Sequence, residues 1–200
     1  MNAADIAARS PGRGAGRLQT IVVIAVTAVV IGAAAYLLGG GTGSNGGITD
    51  VKLTGNVSAA APVVGGLPPG FTATTYDGKT VSVADYAGKP LWLTFGASWC
   101  PDCRAESPDV EAMYQKYQPA GLNILAVFIN EGKGDISTYA TRAGLTFPIV
   151  VDESTSIASL YRTLGIPTHF FIGADGKIKD VKIGALHPDD MAAEIAAILH

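Results

Sequence analysis

Apolar positions recur along this chain in three rhythms, and each predicts a different kind of element. Unbroken runs come first. Residues 18–38 hold 21 positions without a charge, the length at which a helix spans the hydrocarbon core of a bilayer. Two shorter runs, residues 91–96 and 123–129, predict strands covered on both faces, the second of them central and parallel. The second rhythm is alternation: residues 71–75 and 79–83 alternate around Asp77-Gly78, a two-residue hairpin signal. The third is helical. Val110, Met113, Tyr114 and Tyr117 fall at i, i+3, i+4 and i+7, and Met191, Ile195, Ile198 and Leu199 mark one face of a helix over 188–199.

Breakers divide the remainder. A helix is expected over 135–143, ending at Gly144, and another over 154–164, with Gly165 past its end. Strands are expected at 148–151 and 168–172, the latter turned by Asp175-Gly176 into 177–183. Alternating strands and helices followed by a hairpin and a last helix predict an α/β sandwich with a mixed sheet. The domain organisation follows: a tail over 1–17, a transmembrane anchor over 18–38, a Gly/Ser/Ala/Pro-rich linker over 39–66 and a folded domain over 67–200. Residues 41–46 match the pattern G-x-G-x-x-G, but they follow no strand and open no helix, so linker is the reading there. Asn56-Val57-Ser58 matches a glycosylation sequon, a pattern short enough to arise by chance.

Charge orients the span. Arg9, Arg13 and Arg17 precede it and uncharged residues follow, so the positive-inside rule keeps the N-terminus in the cytoplasm and puts the rest of the chain outside a single-pass membrane anchor. The competing reading is a cleaved signal peptide with Ala33-Ala34-Ala35 as its small-residue site, although the apolar run exceeds the usual length of such segments. No cysteine stands directly after the run, which excludes a lipoprotein anchor. Setting aside Arg9, Arg13, Arg17, Asp5 and Asp50 leaves 11 Lys and Arg against 15 Asp and Glu, with no basic run. Nucleic acid is therefore a poor candidate partner.

The chemistry centres on Trp99-Cys100-Pro101-Asp102-Cys103, set between the strand at 91–96 and a helix-like segment opening Arg104-Ala105-Glu106. Two cysteines three apart at the first turn of a helix bring their sulfurs together, and the helix N-terminus stabilises a thiolate on the first. Cys100 is expected as the exposed attacking thiolate and Cys103, one turn in and shielded, as the thiol that resolves the mixed disulfide. The chain has no other cysteine. That argues against a structural disulfide framework, and a zinc site would need two further ligands from three scattered histidines or the carboxylates. An oxidising compartment suits a reversible disulfide. Pro108, five residues past Cys103, is expected to bend the helix.

Through these residues and those flanking them the chain resembles the thioredoxin superfamily, and within it the membrane-anchored extracytoplasmic thiol-disulfide reductases of the TlpA, ResA and CcmG type. The likeness covers roughly 67–200 and is carried by Phe71 with Asp77-Gly78-Lys79, by the segment from Phe95 to Pro108, by Phe147-Pro148-Ile149-Val150-Val151-Asp152, by Gly165-Ile166-Pro167-Thr168, by Asp175-Gly176 and by Gly184. It implies a thioredoxin-like fold and a Cys100–Cys103 disulfide. It also implies that Pro167 is the cis-proline facing that disulfide and leaves the Ile166 backbone to pair with an extended peptide. Catalytic roles are implied for Cys100, Cys103, Glu106 and Pro167, and partner contacts for Trp99, Pro101, Asp102, Ile166 and Thr168.

Glu106 stands where the family has its acidic residue, placed to take a proton from Cys103; the bland alternative is an ordinary helix Glu pairing with Arg104 or Lys116. Cytoplasmic thioredoxins place a buried Asp where this chain has Thr94, which adds weight to Glu106. Asp102 also departs from the usual small or apolar residue, and its charge should raise the pKa of Cys100 and make the pair more reducing. Trp99 is expected beside the active site. His169 lies two past Pro167 on a strand.

The implied function is reduction of disulfides in exported proteins, by analogy apocytochrome c or copper-oxidase assembly factors. It requires no cofactor and draws electrons from a CcdA- or DsbD-type membrane partner. Two alternatives are carried forward: a copper-binding assembly chaperone using Cys100, Cys103 and His169, and a peroxiredoxin-like peroxidase, against which the contiguous C-x-x-C argues.

Overall fold

The computed structural model describes residues 51–54 and 61–200, together with Val26. The chain divides into two units, Met1–Gly46 and Gly47–His200, and the elements below belong to the second. The tail, the glycine-rich 41–46 and the sequon lie outside the described residues, as does the span at 18–38 apart from Val26. Among the described residues no helix is long and apolar enough to cross a membrane.

The elements are β1 (Lys52–Leu53), β2 (Phe71–Thr74), β3 (Thr80–Ser82), β4 (Leu91–Gly96), α1 (Pro101–Tyr117), β5 (Asn123–Ile129), α2 (Lys133–Ala143), β6 (Ile149–Asp152), α3 (Ser156–Leu160), β7 (Thr168–Ile172), β8 (Ile178–Ile183) and α4 (Pro188–Leu199). The main sheet has the order β6-β5-β4-β7-β8. In it β4, β5 and β6 are parallel, β7 pairs antiparallel with β4, and β8 pairs antiparallel with β7. This is the thioredoxin-like α/β fold with a mixed sheet. A small antiparallel sheet, β1-β2-β3, carries the expected hairpin, with Gly78 at φ 90° in its turn.

Strand periodicity distributes the core. Leu91, Leu93 and Phe95 point to one face, where Leu125, Val127, Phe170 and Ile172 join them against Phe71, Ile157 and Tyr161. Trp92, Ala126, Phe128 and Phe171 point to the other, against Val110 of α1, Ile136 of α2 and Met191 and Ile195 of α4. Each fully buried large side chain contributes about 1.5–3 kcal/mol, which is why the central strands read as continuous apolar runs.

Two expectations are corrected. The helix expected over 154–164 is confined to Ser156–Leu160. Arg162 takes a left-handed φ of 54°, which a right-handed helix cannot continue through, and Leu164 is 95% exposed beyond it. Part of the stretch assigned to the linker is also bound to the domain. Lys52 and Leu53 pair with Thr72 and Phe71, and Gly65 and Gly66 exchange backbone hydrogen bonds with Ile178. No apolar pattern announces a two-residue edge strand; it exists because β2 offers an unpaired edge.

Candidate active site

Strand register assembles the site. Phe95 lies opposite Thr168 in the antiparallel β4–β7 pair, so the segment leaving β4, Ala97 to Cys100, meets the segment entering β7, Ile166-Pro167. The Ile166–Pro167 bond is cis, as the resemblance implies. On the other side β5 runs parallel with Gly96 opposite Phe128, which brings Asn130 and Glu131 beside Ser98.

Cys100 and Cys103 form a disulfide, their Cα atoms 5.3 Å apart. Cys100 is the N-cap of α1 and Pro101 occupies its first turn, where a missing N–H costs nothing. The Cys103 N–H donates to Cys100 Sγ at 3.2 Å, the helix N-terminal bond that favours a thiolate there once the disulfide opens. Cys100 Sγ also lies 3.8 Å from the Ile166 carbonyl oxygen. Cys103 is shielded as expected, at 5% exposure, but Cys100 is only 4% exposed. Its expected exposure is thus corrected for the oxidised state: Ala97 and Ile166 pack with the two cysteines. Trp99 is 51% exposed at the rim, outside the core, and Pro101 and Asp102 are exposed beside it. Thr168 is buried, and its hydroxyl donates to the Gly165 carbonyl at 2.6 Å.

Beneath the disulfide sits a buried polar group. Glu106, one helical turn past Cys103, is 6% exposed and pairs with neither Arg104 nor Lys116; Lys116 instead lies over the Tyr117 ring. The Leu186 N–H donates to Glu106 Oε2 at 3.1 Å. Burial pushes the Glu106 pKa up to about 7, with the Leu186 N–H acting against it and the nearby Asp102 and Asp109 charges adding to it. Thr94 and His169 are directly opposite in the β4–β7 register. Their side chains therefore meet on one face, the hydroxyl 3.0 Å from His169 Nδ1. Trp92 Nε1–H donates to the same nitrogen at 3.2 Å. An indole can only donate, so Nδ1 accepts and the neutral ring carries its proton on Nε2, which faces Glu106 Oε2 at 3.6 Å. Burial lowers the His169 pKa to about 4, with the Gly184 backbone acting in the opposite sense. Cys103, Glu106 and Thr94 border a cavity of about 20 Å³, room for roughly one water.

His169 Nδ1 is taken by Trp92 and Thr94, its buried Nε2 faces Glu106 without a hydrogen bond, and among the described residues no three His, Cys, Asp or Glu side chains are grouped to hold a metal ion.

Three features of the site were not read from the sequence. Glu131 accepts the Ser98 backbone N–H at 2.6 Å and also the Ser98 hydroxyl. The Tyr139 hydroxyl donates to Ser107 Oγ at 2.7 Å, and Ser107 in turn donates to the Cys103 carbonyl. Pro108 sits inside an α1 that runs through it, and Ser107 takes up a carbonyl one turn before. The third is a cleft of about 680 Å³ beside Ser98 and Trp99. A buried Glu directly after an apolar strand, as in Ile129-Asn130-Glu131, was the one available signal.

Residues 64–181 match the AhpC/TSA family. The thiol-disulfide oxidoreductase ResA of Geobacillus thermodenitrificans is 35% identical over 138 residues, covering 69% of this chain and 79% of that protein. Among solved structures, a protein from Chlorobium tepidum described as a thiol:disulfide interchange protein DsbE superposes with a TM-score of 0.66 at 28% identity, covering 70% of this chain and all of the other. StoA from Bacillus subtilis does so at 0.56 and 26%, covering 64% and 95%.

Proposed function

The chain belongs to the AhpC/TSA family and is a thiol-disulfide oxidoreductase of the ResA type, and from that premise we propose that it works as a membrane-tethered, extracytoplasmic reductase of protein disulfides. The observation that carries this reading is the Cys100–Cys103 disulfide at a helix N-terminus, with the buried carboxyl of Glu106 on the same small cavity as Cys103.

The dithiol form starts the reaction. The Cys100 thiolate attacks one sulfur of a substrate disulfide; a new S–S bond forms, the old one breaks and the departing thiolate takes up a proton. Cys103 then passes its proton to the Glu106 carboxylate, directly or through one water, and attacks the Cys100 sulfur. The mixed disulfide breaks and releases the second substrate thiol. The substrate gains two electrons and the protein is left oxidised. Pro167 with Ile166 and Thr168 lines one side of the attacked sulfur, and Trp99, Pro101 and Asp102 meet the partner on the exposed side.

Residues 18–38 serve as the anchor, with 1–17 in the cytoplasm, and the catalytic domain stands outside. Its substrates include disulfides in exported proteins such as apocytochrome c or copper-oxidase assembly factors. Electrons return through a membrane donor of the CcdA or DsbD type, because the outer compartment offers no soluble reductant of comparable strength. The contiguous C-x-x-C favours this over a peroxidase, whose reactive cysteine works beside Thr or Ser.

The deciding experiment is the reduction potential, read by Trp99 fluorescence or thiol trapping in dithiothreitol and glutathione buffers. A value at or below about −250 mV is expected. A value above about −180 mV would instead make the protein a disulfide donor or isomerase. Recovery of the full chain in membranes, with its cysteines labelled only from outside, tests the topology.

A further inference from the structure

The cleft beside the disulfide holds charge that the exchange reaction does not use. Ser98 and Trp99, immediately before Cys100, and Arg104, immediately after Cys103, form one wall. The other is a single face of α2, where Asp135, Thr138, Tyr139 and Arg142 recur at i, i+3, i+4 and i+7. Arg104 and Arg142 are both exposed. Among the described residues neither guanidinium has a carboxylate within ion-pair distance.

Two carboxylates share the cleft, and neither neutralises the arginines. Glu131 is buried, spends both oxygens on Ser98, and burial raises its pKa. Asp135 stands in the first turn of α2, where the helix N-terminus favours its charge. It is two turns from Arg142, roughly 10 Å along the axis.

We propose that this cleft docks a carboxylate-bearing segment of the partner polypeptide close to its reactive cysteine, with Arg104 and Arg142 as the groups that hold it. A planar guanidinium takes a carboxylate through two parallel N–H bonds, which orients the segment as well as attracting it. Trp99 offers an amphipathic ring at the same wall, and the volume, about 680 Å³, falls within the range of clefts that take a small ligand group. A partner cysteine at Cys100 therefore meets the Ile166 backbone through its own backbone and this cleft through a side chain. Partners are selected by acidic residues near the cysteine. The inference rests on the exchange reaction proposed above and adds what chooses its substrate.

The test uses the full chain, reduced, in detergent micelles, with short disulfide-linked peptides that differ only in whether two positions flanking the cysteine carry Asp, Asn or Lys. The second-order rate constant for peptide reduction is read from the change in tryptophan fluorescence. At low salt the Asp peptide is expected to react about three- to tenfold faster than the Asn peptide, the scale of one or two exposed ion pairs. That ratio should shrink toward one in roughly 0.5 M NaCl. The pair Arg104→Gln with Arg142→Gln should remove the preference, and Arg104→Glu with Arg142→Glu should turn it toward the Lys peptide. Lys177→Gln, which removes a positive charge at the distant β7–β8 turn, should keep it. Equal rates for the Asp and Asn peptides, or a preference that survives both arginine pairs, would overturn the docking site while leaving the exchange activity standing. Failure to reduce any of the three would overturn the activity reading and the docking site with it.

Discussion

His169 Nε2 and Glu106 Oε2 lie 3.6 Å apart in the core beneath the disulfide, and both side chains are neutral there in mildly acidic solution. Burial raises Glu106 from 4.5 to about 7 and lowers His169 from 6.5 to about 4. Between about 4.5 and 6.5 the folded protein holds one proton on the pair, on Glu106, and the unfolded chain also holds one, on His169. The net proton uptake on unfolding is therefore close to zero across that window, and the pair leaves stability flat with pH.

Breaking the pair should expose each slope. In Glu106→Gln the depressed His169 remains, and its contribution, present above 6.5, is lost as pH falls through 4; stability should drop by about 3 kcal/mol over that range. In His169→Gln the raised Glu106 remains, and its contribution, present below 4.5, is lost as pH rises through 7; stability should drop by about 3 kcal/mol in the opposite direction. Urea titrations from pH 4 to 7.5 measure both. Parallel curves for the two variants would show that the groups are not buried as neutral partners.

Glu106 also carries a kinetic expectation. As the acceptor of the Cys103 proton it works as a carboxylate, so the rate of mixed-disulfide resolution should rise with pH through about 7. Glu106→Gln should lose that limb and slow the step by about a hundredfold, and Glu106→Asp should restore part of it. Stopped-flow release of a peptide thiol checks this; an unchanged pH profile in Glu106→Gln would assign the proton to another group.

The Glu131 contact with Ser98 ties the loop after β5 to the loop that presents Cys100. Glu131→Ala removes the acceptor for a backbone N–H and a hydroxyl together, and should destabilise the domain by about 1–3 kcal/mol. Glu131→Gln keeps one acceptor oxygen and should cost less. Denaturant midpoints at unchanged m-value give the comparison.

Asp102 stands exposed between the cysteines. In a Cys103→Ser background, Asp102→Asn should lower the Cys100 thiol pKa, because one nearby like charge is removed, and solvent screening keeps the change small. Thiolate absorbance against pH reads the shift, and identical titrations would show that the charge does not reach the sulfur.

Much of this was legible in the chain. The strands Leu91–Gly96, Asn123–Ile129 and Thr168–Ile172 and the helix Pro188–Leu199 follow from apolar runs and breakers that act locally. The C-x-x-C at a strand-to-helix junction named its chemistry, because spacing within one helical turn is a local property. Glu106 was legible as a position but not as an environment: its burial depends on the Leu186 N–H, 80 residues on, and on His169.

What the sequence alone determined was the main strands and helices, the cysteine pair and the kind of reaction. Tertiary structure decided that Cys100 is covered in the disulfide, that His169 turns to Glu106, that Glu131 holds Ser98, that Arg104 and Arg142 border one cleft, and that Lys52–Leu53 joins the domain. The reason is register. Hydrophobic periodicity says which face of a strand is buried, but the neighbour opposite each residue is set only when strands distant in sequence pair, as Thr94 with His169 and Gly96 with Phe128.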